Sequence, residues 1–319
     1  MSTLVLAAPS KGRLQEQTNA YFADCRLAIA NQGGARGYTA RIAAAPDVEV
    51  RLLSASDIAR ALVEGDVHVG VTGEDVLREA ANGFDAPILV RPLGFGRADL
   101  VVAAPAAWID VTTMADLADV CADHRARTGK RLRVATKYIA QTRAFFTSHG
   151  IDDYRIVESL GATEGAPASG AADVIVDITT TGATLAANHL APLADGLILK
   201  SQAHLVASRA AEWSHDALAA FERLCDAIEA RQRGKALRLI RAAAPSAARA
   251  AIASAMEGLG AKPADEGAAW YCPADAVFAA CAAVQAAGGT AGVFEPDYLF
   301  VRPNPAFDAF KAALAVGGG

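Results

Sequence analysis

The residues best suited to chemistry lie in one segment of the chain, residues 173–185. Its apolar, β-branched run 174–176 predicts a buried strand. Asp177 follows at the carboxyl end of that strand, where α/β sheets place their ligands. The residues from Thr179 to Thr184 then offer hydroxyls, backbone N–H groups and the positive end of a helix dipole to a phosphate monoester. This segment therefore predicts a site for a phosphorylated sugar. Residues 179–184, called the clamp below, would hold the phosphate, and the Asp177 carboxylate would face the sugar hydroxyls.

An ordinary turn explains the same residues. Threonine and glycine after a strand commonly form turns and cap the next helix. The motif by itself leaves both interpretations open, so other segments of the chain must decide between them.

Two cations, Lys11 and Arg13, follow the first predicted strand, residues 4–8. A compact ammonium and a forked guanidinium at the carboxyl end of a strand suit a polyphosphate, although surface ion pairs are the competing interpretation. Arg41 is a candidate for a further nucleotide contact, while an isolated arginine is more commonly just solvated.

Two more strand-to-helix turns carry candidate ligand contacts. Thr72 and Gly73 permit close approach of a ligand to the backbone, and the two acids after them equally fit the first turn of a helix. Thr136 and Lys137 lie where another strand becomes a helix, which suits the diphosphate of a sugar donor. Glu164, before the clamp, fits a contact with ribose or with a magnesium-bound water, or a cap before the glycine-rich turn.

Strand-like and helix-like stretches alternate through the first part of the chain. The strand-like runs are residues 4–8, 48–53, 67–71, 100–104, 132–135, 155–158 and 173–176. Helical spacing marks residues 55–64, 75–82, 114–126 and 139–149 between them. The alternation predicts an α/β fold in which crossover helices connect parallel strands.

Shifts in composition divide the chain into three parts. Residues 91–97, with Pro92 and two glycines, predict a hinge between two lobes, and the polar stretch 229–235 precedes a segment of different pattern. We therefore predict a first lobe from residues 1–97 and 186–230, a second lobe from residues 98–185, and a third, α+β domain from residues 231–319.

Composition excludes several classes of function. A formal charge of -5 without a basic stripe argues against a nucleic-acid partner. The five cysteines are scattered and the six histidines lack metal-ligand spacing, so we predict neither a disulfide framework nor metal-ligating residues. No apolar run approaches the roughly 20 residues that span a bilayer, and no basic region precedes the first strand, so we expect no membrane association and a cytoplasmic protein.

Four segments carry a family resemblance. In chain order they read Pro-Ser-Lys-Gly-Arg-Leu from residue 9, Gly-Val-Thr-Gly-Glu-Asp-Val-Leu from residue 70, Arg-Val-Ala-Thr-Lys-Tyr from residue 133, and Glu-Gly-Ala-Pro from residue 164 into the clamp. Each resembles a segment of the ATP phosphoribosyltransferase family, which catalyses the first step of histidine biosynthesis, and the order is the family's own.

The resemblance implies a fold and a set of ligands. The fold is a two-lobed catalytic unit like a periplasmic binding protein, followed by a ferredoxin-like α+β domain as in the longer family members. The substrates are ATP and 5-phosphoribosyl 1-pyrophosphate (PRPP), with Mg²⁺ held largely by substrate phosphates and water. The resemblance also implies histidine as a feedback inhibitor and a homo-oligomer, dimeric or hexameric.

The resemblance also assigns roles to residues, with ATP on the first lobe and PRPP on the second. The implied ATP-binding residues are Lys11, Gly12, Arg13, Arg41, Thr72 and Gly73. The implied PRPP-binding residues are Thr136, Lys137, Glu164, Asp173, Asp177, Thr179, Thr180, Thr181, Gly182, Ala183 and Thr184. Lys11, Arg13 and Asp177 are the predicted catalytic residues.

The chain also departs from the family pattern. Family members often carry an arginine shortly before the Asp57-Ile58 pair, and here none follows Arg51 in that region. The C-terminal segment resembles the regulatory domain only loosely, so no effector residues are assigned. Two alternatives stay open: a two-lobed protein that binds a small ligand without catalysis, and a phosphoribosyltransferase acting on another base.

Overall fold

The computed structural model describes residues 4–31, 38–82, 86–159, 161–265 and 267–316. Its strands are β1 (Leu4–Pro9), β2 (Ile29–Asn31), β3 (Thr39–Ile42), β4 (Val48–Leu53), β5 (Val69–Gly73), β6 (Ile88–Pro92), β7 (Ala98–Pro105), β8 (Leu132–Thr136), β9 (Tyr154–Glu158), β10 (Val174–Thr179), β11 (Leu190–Ser201), β12 (Ala203–Ala207), β13 (Leu237–Ala243), β14 (Lys262–Pro263), β15 (Ala269–Pro273) and β16 (Thr290–Phe294). Its α-helices are α1 (Gly12–Asp24), α2 (Ala55–Glu64), α3 (Glu74–Ala80), α4 (Met114–Thr128), α5 (Ile139–Ser148), α6 (Ala183–Ala187), α7 (His215–Ala236), α8 (Arg249–Gly258), α9 (Val277–Ala286) and α10 (Pro305–Val316). In these ranges no helix is both long and apolar enough to cross a bilayer.

Local sequence signals set the helix ends. The Ser54 hydroxyl accepts from the Asp57 N–H at the start of α2, and Gly65 ends that helix with a left-handed φ of 83°. Thr113 and Asp116 form a reciprocal capping box at the start of α4. Such caps satisfy backbone groups that helix ends leave without partners.

The first lobe is built on a seven-stranded sheet with the order β2-β3-β4-β1-β5-β12-β6. At its centre β1 pairs in parallel with β4 and β5, as the alternating pattern predicted. The remaining pairs are antiparallel, including those of β12 with β5 and β6. Because β1 and β5 run in the same direction, the turns that follow them, at Lys11 and Gly73, lie at one edge of the sheet.

The second lobe is built on a five-stranded sheet with the order β11-β7-β10-β8-β9. Here β8 pairs in parallel with β10 and β9, while β7 runs antiparallel to β10 and β11. The turns after β8 and β10, at Lys137 and Thr180, therefore lie at one edge and face the first lobe.

The chain crosses between the lobes twice. The first crossing comprises residues 93–97, between β6 and β7. The second differs from the prediction, because β11 pairs with β7 and the chain returns only at Gln202. Residues buried along β11 recur mostly every third position, and its pairing contains register shifts, so β11 lacks the alternation that marks a strand. Residues 186–201 thus belong to the second lobe, and not to the first as predicted.

The third domain is an antiparallel sheet with the order β14-β15-β13-β16, covered by α8 and α9. Strand, helix, two strands, helix and strand in that order form a ferredoxin-like fold, which confirms the predicted class. Its first strand begins at Leu237, because α7 continues unbroken to Ala236. The polar stretch 229–235, predicted to separate the domains, is the end of that helix.

The C-terminal helix α10 returns to the first lobe, which differs from its predicted place in the third domain. Phe307 and Phe310 are buried in the first lobe's core, where both rings pack against Phe221 of α7. Burial of these two aromatic side chains stabilises the return of the chain to the first lobe. The third domain proper therefore comprises residues 237–294.

Candidate active site

A cavity of about 660 Å³ lies in the cleft between the two lobes. The first lobe contributes the turns after β1 and β5, the second lobe contributes the turns after β8 and β10, and residues of the first crossing close one side. Its lining includes Arg13, Gly73, Arg97, Lys137, Tyr138 and Thr180. The fold thus gathers at one place the strand-to-helix turns that the sequence analysis singled out.

The turn after β1 presents Arg13 to this cavity. Lys11 takes the N-cap position of α1, and Gly12 has a left-handed φ of 73°, which explains the glycine. Both are exposed beside Arg13, although neither is among the described residues that line the cavity. The predicted Lys-Gly-Arg turn therefore lies at the cleft with one of its two cations inside.

In the turn after β5, Thr72 has a structural role, whereas Gly73 lines the cavity. Thr72 is fully buried, and its hydroxyl donates to the Ala55 carbonyl at 3.0 Å, so it supports α2. In contrast to the prediction, it does not line the cavity. Gly73 does line the cavity. A Cβ on Gly73 would lie 2.4 Å from Oδ1 of Asp75, so a side chain there would displace that carboxylate.

The turn after β8 brings Lys137 into the cavity. Thr136 is buried, and its hydroxyl accepts from the Tyr138 N–H at 2.9 Å, which shapes the turn. The Lys137 ammonium lies 4.9 Å from the centre of the Tyr138 ring. Lys137 is therefore placed to meet an anion, whereas Thr136 holds the backbone beneath it.

Asp177 lies within β10, which extends two residues beyond it to Thr179. Burial raises the pKa of its carboxyl, and the nearby Glu164 adds to this, while the Ile178 N–H and the Lys137 ammonium act in the opposite direction. The structure thus brings Asp177, Glu164 and Lys137 together. A half-buried carboxylate that lacks an ion pair within the described part of the chain is a good acceptor for sugar hydroxyls.

The clamp forms the turn between β10 and α6. The Thr179 hydroxyl accepts from the Gly182 N–H at 2.9 Å, and Gly182 has a left-handed φ of 74°. The Thr180 hydroxyl donates to the Arg97 carbonyl at 3.3 Å and links the clamp to the crossing between the lobes. Thr181 and Thr184 are exposed, as is Ala183, the first residue of α6. Part of the hydroxyl set therefore shapes the loop, and part is free to meet a ligand.

Two predicted site residues lie away from the cleft. Asp173 precedes β10, at the end opposite the clamp, where the Arg133 guanidinium contacts its carboxylate at 2.9 Å. That arginine holds the pKa of Asp173 below its ordinary value against the effect of burial. Arg41 pairs in register with Glu49, which is level with Val5 near the start of β1 and not with the turn at its end.

Sequence reasoning missed Arg97, which it treated only as part of the hinge. Arg97 lines the cleft cavity and also a neighbouring polar cavity of about 430 Å³, which includes Thr179 and Lys200. Its place directly after a Gly-Phe-Gly turn was the available signal, because glycines at a crossing allow a following cation to approach a ligand. Tyr138, for which the sequence leaves a diphosphate contact or packing open, lines the cavity as well. So does Asp75, which the sequence suggests only as an acid of the first helical turn.

The cations of the cleft share one electrostatic property. Within the described ranges, neither Arg13 nor Arg97 has a carboxylate within ion-pair distance, and Lys137 contacts an aromatic ring and lies near Asp177. Cations that the protein leaves without partners repel one another and favour binding of an anion. Two polyanions, one on each lobe, would satisfy this arrangement.

The comparisons with known proteins agree with this picture. A family model described as ATP phosphoribosyltransferase matches residues 54–230. The ATP phosphoribosyltransferase of Caulobacter vibrioides (strain NA1000 / CB15N) is 53% identical over 318 residues, which are 98% of this chain and 99% of the relative. That of Nitrobacter winogradskyi is 49% identical over 321 residues, again 98% of this chain and 99% of the relative.

A solved structure is similar as well. The ATP phosphoribosyl transferase (HisG:HisZ) complex from Thermotoga maritima contains a chain that is 26% identical and aligns with a TM-score of 0.53. The alignment covers 71% of this chain and 98% of that one. The two sequence relatives therefore span the two lobes and the third domain together, whereas the solved chain accounts for only part of this one.

Proposed function

We infer the function of this chain from the ATP phosphoribosyltransferase family, to which it belongs, as its four motifs predicted. Its relatives carry the name of a transferase that begins histidine biosynthesis. On this premise we propose that it transfers the 5-phosphoribosyl group of PRPP to N1 of the adenine ring of ATP and releases pyrophosphate. The observation that carries the proposal is the cleft cavity of about 660 Å³, to which both lobes contribute cations. A reaction between two polyanions needs such a place.

PRPP binds on the second lobe in this proposal. Asp177 accepts from the ribose hydroxyls, the clamp residues 179–184 hold the 5'-phosphate, and Lys137 faces the diphosphate. The support is the proximity of Asp177, Glu164 and Lys137, together with the exposed backbone and hydroxyls of the clamp.

ATP binds on the first lobe. Arg13 meets the triphosphate inside the cavity, with Lys11 at the exposed rim of the same turn. Gly73 lines the same cavity, so its backbone can contact the nucleotide. Arg97 comes from the crossing between the lobes, so it can contact either substrate, and we include it as a binding residue that the sequence analysis did not assign.

The chemistry is a displacement at the anomeric carbon. The lone pair of adenine N1 forms the new N–C bond while the C–O bond to the diphosphate breaks, and the electron pair leaves with pyrophosphate. N1 carries no proton, so no general base is required, and no side chain becomes covalently attached. The residues act by aligning the two substrates and by stabilising the charge that develops on the ring and the leaving group.

Magnesium fits this site as an ion carried largely by substrate. Among the residues described, no group of three His, Cys, Asp or Glu side chains is placed to hold a metal. Mg²⁺ commonly binds through one or two carboxylates plus substrate phosphates and keeps several waters, and Asp177 and Glu164 supply such carboxylates beside Lys137. When bound, the ion would neutralise charge on the leaving diphosphate.

Histidine inhibition is proposed for the third domain. This domain has a core of its own, built around Ile240, Met256 and Trp270, and it continues directly from α7, which packs in the first lobe. A separate domain on a shared helix is a suitable carrier of an inhibitory signal. Titration of the reaction with histidine tests it, and an unaffected rate would contradict it.

A cytoplasmic homo-oligomer, dimeric or hexameric, is also proposed. Large apolar side chains on and beside the third domain support a subunit contact there: Phe278 is 89% exposed, Phe300 is 68% exposed and Phe294 is 52% exposed. Light scattering of the purified protein tests the oligomer, and a monomer at micromolar concentration would contradict it.

The catalytic proposal is tested by incubating the purified protein with ATP, PRPP and Mg²⁺ and detecting phosphoribosyl-ATP by mass spectrometry and absorbance. Other purine and pyrimidine acceptors form the control, because the clamp indicates that PRPP is the donor but does not indicate which base accepts the phosphoribosyl group. Product with another base only would overturn the assignment of ATP. Lobe movement on ligand without any product would favour a binding protein without catalysis.

A further inference from the structure

A hydrogen-bonded cluster joins the two lobes beside the cavity. Asp75 at the start of α3 belongs to the first lobe, is only 5% exposed, and accepts from the Tyr138 hydroxyl of the second lobe at 2.7 Å through Oδ2. Its other oxygen accepts from the Ser201 hydroxyl at 2.7 Å, and Ser201 is the last residue of β11. The buried Asp75 carboxylate of the first lobe is thus bonded both to Tyr138 of the second lobe and to Ser201 at the second crossing.

Further bonds reinforce the same junction. The Asp75 N–H donates to the Ser201 hydroxyl at 3.1 Å, and the Gln141 side-chain amide donates to the Asp75 carbonyl at 2.8 Å. The first N–H groups of α5, those of Ala140 and Gln141, donate to the Glu79 carboxylate at 2.8 and 3.2 Å. An acid at the N-terminus of a helix is favourable, so α3 is joined through both of its ends to the N-terminal turn of α5.

Stability does not explain this cluster. Within the described chain Asp75 has no cation within ion-pair distance, and a buried carboxylate held only by neutral donors costs desolvation that an apolar pair would avoid. Burial and the Asp75 carboxylate raise the pKa of the Tyr138 hydroxyl, so it stays a protonated donor. Because these hydrogen bonds are directional, they fix the position of the two lobes relative to each other.

The position they specify is that of the substrate-binding turns. Tyr138 follows Lys137 directly, and its N–H is held by Thr136. Asp75 lies two residues after Gly73, and both line the cavity together with Tyr138. Separating the lobes at this side would break the Tyr138–Asp75 bond and would move Lys137 away from Arg13.

We propose that Asp75, Tyr138 and Ser201 form a clasp that holds the lobes at a set separation and positions Lys137 opposite Arg13 for the transfer. They are positioning residues, which neither donate to nor accept from the reacting atoms. The proposal rests on the proposed function only for its kinetic consequence, because the effect on lobe separation holds for any ligand.

The clasp is tested first by distance. Spin labels are attached to the full chain after Arg60→Cys on α2 and Arg127→Cys on α4, two exposed positions, and after Cys281→Ala, which removes a half-buried thiol. The distance between the two labels reports the separation of the lobes. We expect Tyr138→Phe and Ser201→Ala to broaden the distance distribution. Tyr154→Phe, which removes another second-lobe hydroxyl, should leave it unchanged. An unchanged distribution in both clasp variants would overturn the proposal.

Kinetics then separate positioning from direct contact. Tyr138→Phe should lower kcat about tenfold while KM for each substrate changes less than about twofold, because alignment and not binding is lost. Asp75→Asn keeps an acceptor and should retain more activity than Asp75→Ala. A rise in KM for one substrate alone, without a change in lobe separation, would instead indicate contact with that substrate. If the wild type forms no product, the proposed function fails, while the distance measurement still decides on the clasp.

Discussion

The cleft between the lobes and the junction where α7 leads into the third domain both contain arginine and lysine, yet they use these cations differently. At the junction, Arg231 and Lys235 contact the Asp24 carboxylate at 2.9 and 2.5 Å. In the cleft, Arg13 and Arg97 have no such partner within the parts of the chain that are described. A cation with a carboxylate nearby holds the fold, whereas one that faces a cavity alone is available to a ligand. Substitutions in the two regions should therefore separate catalysis from stability.

The largest effect is expected at the acid of the cleft. Asp177→Asn should lower kcat/KM for PRPP about 100-fold, because charge-assisted bonds to the ribose hydroxyls become weaker neutral ones. Steady-state assays with varied PRPP measure this. The melting temperature should not fall, because burial already disfavours the charged carboxylate.

Asp173→Asn is the matched control, since it changes an identical side chain at the opposite end of the same strand. It weakens the ion pair with Arg133 and should leave kcat/KM within about twofold of the wild type. Equal losses in the two variants would contradict the placement of the sugar at Asp177.

The next effect concerns a single cation of the cleft. Arg97→Ala should raise KM for at least one substrate about tenfold. The melting temperature should change little, because the Arg97 side chain forms no ion pair with a carboxylate of the described residues. Arg302→Ala removes a guanidinium that contacts Glu222 and Asp226 on α7, and it should leave KM unchanged. Unaltered kinetics for Arg97→Ala would remove this residue from the site.

At the junction the expected effect is on stability alone. Asp24→Asn should lower the free energy of unfolding by about 1 kcal/mol, because Arg231 and Lys235 lose their shared carboxylate at a partly exposed position. Thermal or chemical denaturation measures this, and kcat/KM should not change. Loss of activity with unchanged stability would erase the distinction between the two regions.

The smallest effect is the pH dependence of the stability difference between the wild type and Asp24→Asn. Hydrogen bonds from Arg231 hold the pKa of Asp24 below its ordinary value of 3.8. The stabilisation is therefore fully present above pH 3.8 and is lost as pH falls through the lower folded-state pKa. The difference in melting temperature between wild type and Asp24→Asn should be constant at neutral pH and disappear in strong acid. A difference that grows on acidification would contradict this sign.

Several residues in or beside the cleft could be predicted because their position depends on local sequence. Arg13, Gly73, Lys137 and Asp177 each lie in or next to a turn where a recognisable strand ends, and the carboxyl ends of parallel strands meet at one edge. Thr72 was predicted as a ligand contact, yet its hydroxyl is taken by the Ala55 carbonyl. Sequence alone does not reveal which side of a turn a side chain faces.

Other features had no local signal. The strand β11 lacks regular alternation, so its membership in the second lobe depends on its pairing with β7. The return of α10 depends on Phe307 and Phe310 meeting Phe221, which is far away in the chain. The Tyr138–Asp75 bond joins residues 63 positions apart. Contacts of this kind follow from packing and cannot be derived from the pattern of one segment.

The sequence by itself determined the α/β character of the lobes, the family and the turns that carry charge, because hydrophobic periodicity, turn residues and motif spacing are local properties. Only the tertiary structure decided which charges are neutralised by neighbours and which face the cleft. The reason is that a side chain's electrostatic role depends on the distance to its partners. Those distances are set by strand order, by the two crossings between the lobes, and by packing between elements distant in sequence.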